Sequence, residues 1–175
     1  MSRIQIYHDV DGVYNTIPTA TTQWRWGWSP GSLRAQRING YTITWSEQMI
    51  NEMNDLCAFD NVESFWLTTW RDDAPAMIAP ALGIDGADGW QVLHPLDDDD
   101  VFDARVRWWK LNAIQQHVEE TQPDLVIWLD DDISLDEHAL SWIDGRSNVK
   151  AVVPAIETGL TRHDLERVAA WIDSV

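Results

Sequence analysis

Two aspartates near the start of the chain have the spacing of a pair that could share one small reaction site. Asp9 and Asp11 follow a β-prone run that begins at Ile4, and Gly12 allows the chain to turn sharply behind them. In an open α/β sheet, ligands bind outside the carboxyl ends of the strands. There, one carboxylate can attack or bind a metal while the other gives and takes a proton. The four residues Asp9–Gly12 are also typical of an ordinary turn.

Three later segments supply groups that a phosphoryl-transfer site at Asp9 needs. Thr68 follows a predicted strand, Asp130 and Asp131 follow an uninterrupted apolar strand, and Lys110 lies on the helix before that strand. Carboxylates at adjacent strand ends repel each other unless a cation lies between them, and ligands that are all oxygen suit Mg²⁺. A hydroxyl and a lysine beside this metal would complete a phosphate-binding site.

Some of these assignments have alternatives one residue away. Thr69 could bind phosphate in place of Thr68, and Asp132 could replace Asp131, because strand ends are predicted only to within a residue or two. Structural roles are also open for these groups. A threonine at a strand end and aspartates before a helix both act as helix caps.

The elements that position these residues alternate between strand and helix, which predicts βαβ crossovers and a parallel sheet with helices on both faces. We therefore expect one α/β domain over residues 1–175, a Rossmann-like three-layer sandwich without a large cap domain. The predicted strands are a first one stopping at Asp9, then Glu63–Leu67, 90–93, Leu125–Leu129 and Lys150–Val153. The predicted helices run from an N-cap at Ser46 to about 58, through a proline-broken Ala-rich segment, over 103–120 and 135–143, and on from a cap at Thr161.

Residues 16–45 are predicted to form a β-hairpin flap with turn residues Ser29-Pro30-Gly31 in its middle. The flap carries Trp24, Trp26 and Trp28 together with arginines, which suit stacking on a base and pairing with phosphate. Arg25 and Trp26 are the candidate substrate-binding residues. The alternative is that the tryptophans share one strand face that packs on the domain or on a second subunit.

The composition excludes several classes of protein. The net charge of -17, with a pI near 4.3, argues against non-specific coating of duplex nucleic acid. The single cysteine, Cys57, excludes an internal disulfide and a cysteine-based zinc site. No apolar run is long enough to span a membrane and no signal sequence opens the chain, so we expect a cytoplasmic protein. The run Asp97–Asp100 is predicted to be a solvated loop, with incidental cation binding as the alternative.

These motifs together resemble the haloacid dehalogenase-like (HAD) superfamily. The strand followed by Asp-x-Asp-Gly matches Asp9–Gly12, and the strand ending in Thr or Ser matches Phe65–Thr68. The lysine before the fourth strand matches Lys110, and the apolar strand ending in paired acids matches Val126–Asp131. The resemblance covers nearly the whole chain, and all four motifs occur in order.

The resemblance implies a role for each matched residue. Asp9 would attack phosphorus to give an aspartyl-phosphate, and Asp11 would protonate the leaving oxygen and then activate the water that releases phosphate. Thr68 would hydrogen-bond the phosphoryl group, and Lys110 would steady Asp9. Magnesium would be held by Asp9, the carbonyl of Asp11, Asp130 and Asp131. Dehalogenases of the superfamily lack the second aspartate, so its presence indicates phosphoryl transfer.

The predicted function is thus that of a Mg²⁺-dependent phosphohydrolase. A short insert leaves the site open, which favours a phosphomonoester on a nucleotide or a nucleic-acid end over a very small metabolite. The segments Trp66–Trp70 and Gly159–Thr161 are similar to HAD-like domains grouped with RNA-repair proteins. Two alternatives stay open: a non-catalytic module that binds metal and phosphate, and a phosphotransferase of the same superfamily, which a cap that excludes water would favour.

Overall fold

The computed structural model describes residues 2–17, 27–95 and 108–175. Its strands are β1 (Ile4–His8), β2 (Leu33–Ile38), β3 (Tyr41–Ser46), β4 (Val62–Trp66), β5 (Gln91–Val92), β6 (Leu125–Leu129) and β7 (Val149–Val152). Its α-helices are α1 (Glu47–Cys57), α2 (Ala79–Leu82), α3 (Trp109–Thr121), α4 (Glu137–Asp144) and α5 (Arg162–Ile172). Short 3-10 helices cover Pro30–Ser32 and Asp131–Leu135, and a π-helical turn, Ala74–Ile78, leads into α2.

Five parallel strands form the central sheet in the order β5-β4-β1-β6-β7. The central strand β1 ends level with both neighbours, because His8 pairs with Trp66 of β4 and with Leu129 of β6. The residues that follow these three strands therefore emerge side by side at one edge of the sheet. The predicted α/β architecture is confirmed, and its topology brings the strand-end motifs together.

Alternation along the strands divides the core into two layers. Ile4 and Ile6 of β1 pack on the face covered by α1 and α5, whereas Tyr7 packs on the opposite face with α3 and α4. Both faces of β1 and β6 are buried, which explains the apolar character of β6 at every position. The three-layer arrangement is as predicted.

Helix caps found in the structure agree with the sequence patterns. The Ser46 side chain accepts a hydrogen bond from the Met49 amide at the start of α1. Thr161 and Asp164 form a reciprocal capping box at the start of α5. Such caps satisfy amide groups that have no partner within the helix, and each typically stabilises by about 1 kcal/mol.

The helix predicted over 135–143 begins later, at Glu137. Asp136 adopts an extended backbone and caps α4 by accepting from the Ala139 amide. The preceding residues form the 3-10 helix Asp131–Leu135, capped by Asp130. Two successive aspartate caps thus divide a segment that apolar spacing alone presented as one helix.

The hairpin β2–β3 confirms a flap between the first strand and the first helix, but its turn is not where we expected it. The turn is Asn39-Gly40, where both residues have positive φ, of 47° and 86°. Two positive φ angles are what a two-residue hairpin with the normal strand twist requires, and Asn-Gly supplies them. Of the expected turn Ser29-Pro30-Gly31, Pro30 and Gly31 instead belong to the 3-10 helix Pro30–Ser32, and Ser29 precedes that helix as its N-cap.

Several predictions fall outside the described residues: Trp24, Arg25, Trp26, the run Asp97–Asp100 and the first residues of the helix predicted over 103–120. Trp28 is described and belongs to the core, where its indole N–H donates to the Leu160 carbonyl at 2.9 Å. For Trp28, the packing alternative is therefore the correct one. Within the described ranges, no helix is both long and apolar enough to cross a membrane.

Candidate active site

Asp9, Lys110 and Asp130 form a buried charged cluster at the carboxyl edge of the sheet. Asp9 follows β1, Asp130 follows β6, and Lys110 projects from the first turn of α3. The Lys110 ammonium donates to Oδ2 of Asp9 at 2.6 Å and to Oδ2 of Asp130 at 2.8 Å. All three residues are less than 5% exposed. One ammonium group thus bridges two buried carboxyl groups.

A third carboxylate, that of Asp131, completes the acidic cluster. Oxygens of Asp9, Asp130 and Asp131 all lie within 4.8 Å of one another, a spacing that fits a bound metal ion. Asp131 reaches this position by lying against Gly12, where an added Cβ would come within 2.1 Å of the Asp131 carboxyl carbon. Three carboxylate donors in a largely buried site match the ligand chemistry of a hard divalent cation. Among the described residues, Asp132 does not belong to this cluster.

The electrostatics of the cluster suit an additional cation. Burial raises the pKa of Asp9, although Lys110 and a hydrogen bond from Thr68 act in the opposite direction. Burial and the nearby Asp9 carboxylate raise the pKa of Asp130. Burial, Asp132 and Asp9 raise the pKa of Asp131 to about 6. A bound cation would offset these penalties by favouring the ionised carboxylates.

Lys110 stays charged despite its burial. Burial alone would lower the pKa of its ammonium, but the Asp9 and Asp130 carboxylates outweigh this effect and raise the pKa above its usual value. The ammonium also lies over the Trp108 ring, 5.4 Å from the ring centroid. Lys110 therefore provides a permanent positive charge beside Asp9.

The two threonines after β4 occupy different environments. Thr68 is fully buried, hydrogen-bonds the Asp9 carboxyl and accepts from the Trp70 amide at 3.3 Å. Thr69 is exposed and lines the cavities on either side of its loop. Thr68 is thus the threonine that lies beside Asp9, whereas Thr69 faces solvent above the site.

Asp11 lies outside the carboxylate cluster and is held by two uncharged donors. The Asn15 amide donates to Asp11 Oδ1 at 2.6 Å, and the Trp70 indole N–H donates to Oδ2 at 2.8 Å. Asn15 is itself fixed, because its own side-chain oxygen accepts from the Thr44 amide of β3 at 2.9 Å. The Asp11 side chain is thereby held apart from the other carboxylates, and among the described residues it is not one of the grouped metal-binding acids.

Sequence reasoning did not identify Asn15 and Trp70 as site residues. Asn15 had a weak signal, since a side-chain amide four residues after an acid within a turn can donate a hydrogen bond to that acid. Trp70 ends the segment Trp66–Trp70 that carries part of the resemblance, but nothing in the sequence indicated its contact with Asp11, because the two residues meet only after β1 and β4 have paired. The two predicted substrate-binding residues of the flap, Arg25 and Trp26, lie outside the described residues.

The flap arginines that are described are not all available for substrate. Arg34 forms an ion pair with Glu47 and donates to the carbonyls of Gly31 and Leu33. Arg37 is exposed on β2. The basic character of the flap is therefore partly neutralised within the fold.

A parallel sheet carrying two aspartates after its central strand, a buried threonine after the next strand and a lysine-bridged acidic cluster defines a HAD-like domain. A family model described as the HAD domain in Swiss Army Knife RNA repair proteins matches residues 5–165. The match covers nearly the whole chain, so the chain belongs to this family. A search of curated proteins and a search of solved structures each found no significant match. Membership supports a hydrolase of the HAD superfamily, and the buried aspartates could hold a divalent metal.

Proposed function

We propose that this protein is a Mg²⁺-dependent phosphohydrolase that acts through an aspartyl-phosphate formed on Asp9. The observation that carries the proposal is the pairing of a buried Asp9, ion-paired to Lys110, with an Asp11 whose carboxyl group accepts hydrogen bonds from the uncharged side chains of Asn15 and Trp70. Two carboxylates separated by one residue thus have opposite surroundings, as a nucleophile and a proton carrier require.

The metal would be held by Asp9, Asp130 and Asp131, whose oxygens already converge. When bound, Mg²⁺ would neutralise charge on the phosphate oxygens and on the surrounding carboxylates. Lys110 and Thr68 are placed to act on the same group from the protein side. The ammonium holds the Asp9 carboxylate in position, and the Thr68 hydroxyl, which hydrogen-bonds Asp9 in this structure, would hydrogen-bond a phosphoryl oxygen of the substrate.

The reaction has two chemical steps. In the first, an Asp9 carboxylate oxygen forms a bond to phosphorus while the bond to the leaving oxygen breaks, and that oxygen takes the proton of Asp11. In the second, water attacks phosphorus and gives a proton to the Asp11 carboxylate. The bond between phosphorus and the Asp9 oxygen breaks, which regenerates the Asp9 carboxylate and releases inorganic phosphate. Asp11 is therefore reprotonated in each cycle, and Asn15 and Trp70 keep its oxygens oriented throughout.

The proposed substrate is a phosphomonoester on a nucleotide or a nucleic-acid end. The family description names RNA repair, which supports a nucleic-acid substrate. A cavity of about 480 Å³ opens directly on Asp11, so the group carried by the leaving oxygen has room beside the proton donor.

Phosphate release from a small aryl phosphate ester, measured with Mg²⁺ and with EDTA, tests this function. We expect turnover by the wild-type protein with Mg²⁺ only, and loss of turnover in Asp9→Asn without loss of the folded state by circular dichroism. The nearby exposed acid Asp132 supplies a matched control, because Asp132→Asn should retain activity. Wild-type turnover in Asp9→Asn would remove Asp9 as the nucleophile.

A further inference from the structure

One cavity connects the hairpin to the proposed proton donor. Residues near the hairpin tip, including Asn39 and Tyr41, form one wall, and the loop after β4, including Trp70 and Asp73, forms the other. The Asn39 amide donates to the Asp73 carboxylate at 3.1 Å, which ties the two walls together. The cavity has a volume of about 480 Å³, which is within the usual range for a small-molecule site.

The position of Asp11 determines which part of a substrate this cavity can receive. Asp11 lines the cavity, and in the proposed reaction it protonates the leaving oxygen. The group attached to that oxygen must therefore extend into the same space. The phosphoryl group itself belongs on the other side, beside Asp9, Thr68 and Lys110.

The cavity presents an aromatic surface to solvent. Tyr41 is 65% exposed, and its ring lies edge-on to the Trp70 ring, with 5.6 Å between the centroids and an interplanar angle of 74°. The Trp70 ring is anchored by its hydrogen bond to Asp11, and Tyr41 packs against this anchored ring. Ile17, 61% exposed, adds an apolar side chain to the same lining. A planar ring can stack here at little conformational cost.

The charge of the lining opposes a second anionic group. The described residues that line the cavity include Asp11 and Asp73 but no lysine, arginine or histidine. Asn39 and Thr42 add polar groups suited to hydroxyls and to the edges of a base. The ligand that fits is therefore uncharged, contains a planar ring and carries hydroxyl groups.

From these observations we infer that the cavity between the hairpin and Asp11 is a nucleoside subsite, in which Tyr41 stacks on the base of the nucleoside that leaves after phosphoryl transfer. The inference rests on the proposed function and adds to it the location and the residues of substrate recognition. Recognition by Tyr41 and Trp70 is also separate from the predicted contacts of Arg25 and Trp26.

The test compares nucleoside monophosphates with abasic sugar phosphates that carry the ester on the same carbon. The base should raise kcat/KM in the wild-type protein. Tyr41→Ala should remove about tenfold of that advantage, the size of one base–aromatic stacking contact, and should leave the abasic substrate unchanged. Tyr41→Phe should keep the advantage. Phe59→Ala, which removes another exposed aromatic ring remote from the cavity lining, is the control and should change neither substrate.

The subsite would be overturned by equal kcat/KM with and without the base, or by an equal loss on both substrates in Tyr41→Ala. Hydrolysis of the aryl ester would still test the proposed phosphatase activity separately. A binding measurement separates the two claims further. Adenosine should shift the NMR resonance of the Trp70 indole N–H in Asp9→Asn, and the additional Tyr41→Ala change should abolish that shift. Absence of any shift in Asp9→Asn would count against the subsite whether or not the protein hydrolyses the ester.

Discussion

At the scale of single residues, the site depends on giving two nearby aspartates different surroundings. Asp9 is buried against a permanent cation, whereas Asp11 is contacted by an amide and an indole. The Asn15 amide and the Trp70 indole N–H donate to separate oxygens of Asp11, so the carboxyl group cannot rotate without losing a bond. We therefore expect Trp70 to act as a positioning residue for proton transfer.

Replacing Trp70 with Phe should reduce hydrolysis of esters with poor leaving groups more than hydrolysis of aryl esters. An aryl oxide leaves without a proton, whereas an alkoxide needs the proton of Asp11. General acid catalysis contributes about 10²- to 10⁴-fold, and a loosened Asp11 should lose about tenfold of it. Kinetics over a series of esters graded by leaving-group pKa provide the measurement. Trp171→Phe on α5 is the control, and a uniform loss across the series would indicate a structural role for Trp70.

Without metal, the ionisation of Asp131 should lower the stability of the folded protein as the pH rises. The pKa of Asp131 is about 6 in the folded protein, above the value of about 3.9 expected when unfolded. The protonated group therefore stabilises the fold at low pH, and this contribution is lost as the pH rises from about 4 through about 6. Thermal melts in EDTA should show Asp131→Asn gaining stability relative to wild type over that window.

Magnesium should reverse that comparison, because the wild-type protein can then use the ionised carboxylate as a ligand. At about 100 times the dissociation constant, a ligand stabilises the fold by about 2.7 kcal/mol. Asp131→Asn should gain much less. Equal Mg²⁺ stabilisation of the two proteins would contradict the assignment of Asp131 to the metal site.

At the scale of elements, the turn after β1 and the segment after β6 are built to fit one another. Gly12 has a φ of 70°, and its missing Cβ leaves the space that the Asp131 carboxyl occupies. A side chain at this position would meet both a backbone penalty and a direct clash. The motif Asp9–Gly12 and the motif Val126–Asp131 are therefore coupled by steric fit as well as by electrostatics.

Gly12→Ala should weaken metal binding as well as stability. Gly83, with a φ of 77° and no atom within 4 Å of an added Cβ, isolates the backbone penalty, which is about 1–2 kcal/mol. Gly12→Ala should cost more than Gly83→Ala in the free energy of unfolding, and it alone should lower Mg²⁺ affinity, measured by calorimetry. Unchanged Mg²⁺ affinity in Gly12→Ala would show that Asp131 does not need its place against Gly12.

Elements with strong local signals could be predicted from the sequence. The strand β6 is apolar throughout because both its faces are buried, and Ser46 and Thr161 carry cap signals that need no tertiary information. The hairpin was predicted, but its turn was misplaced, although Asn39-Gly40 is a strong local signal for the observed turn. The contact of Trp70 with Asp11 could not be predicted, since it joins two segments that are distant in sequence. Asn15 lies only four residues after Asp11, so its contact had a weak local signal.

At the scale of the whole molecule, the net charge of -17 sets how an anionic substrate approaches. A bound cation and Lys110 would attract the phosphate of the proposed substrate locally, whereas the net negative charge of the chain would repel it at longer range. Raising monovalent salt from about 50 mM to about 200 mM should therefore raise kcat/KM for a phosphorylated oligonucleotide, the opposite of the response of a basic nucleic-acid-binding protein. A nucleoside monophosphate serves as the control and should respond less. A steep fall with salt would indicate a basic binding surface.

If Asp9 is the nucleophile, it is covalently phosphorylated during turnover, and this phosphorylated form can be trapped. Wild-type protein is mixed with a substrate carrying a labelled phosphoryl group, quenched with acid within one turnover and digested for mass spectrometry. We predict label on the peptide that contains Asp9 in the wild-type protein, and no label in Asp9→Asn. Turnover with no labelled protein at any quench time, or label on another residue, would contradict it.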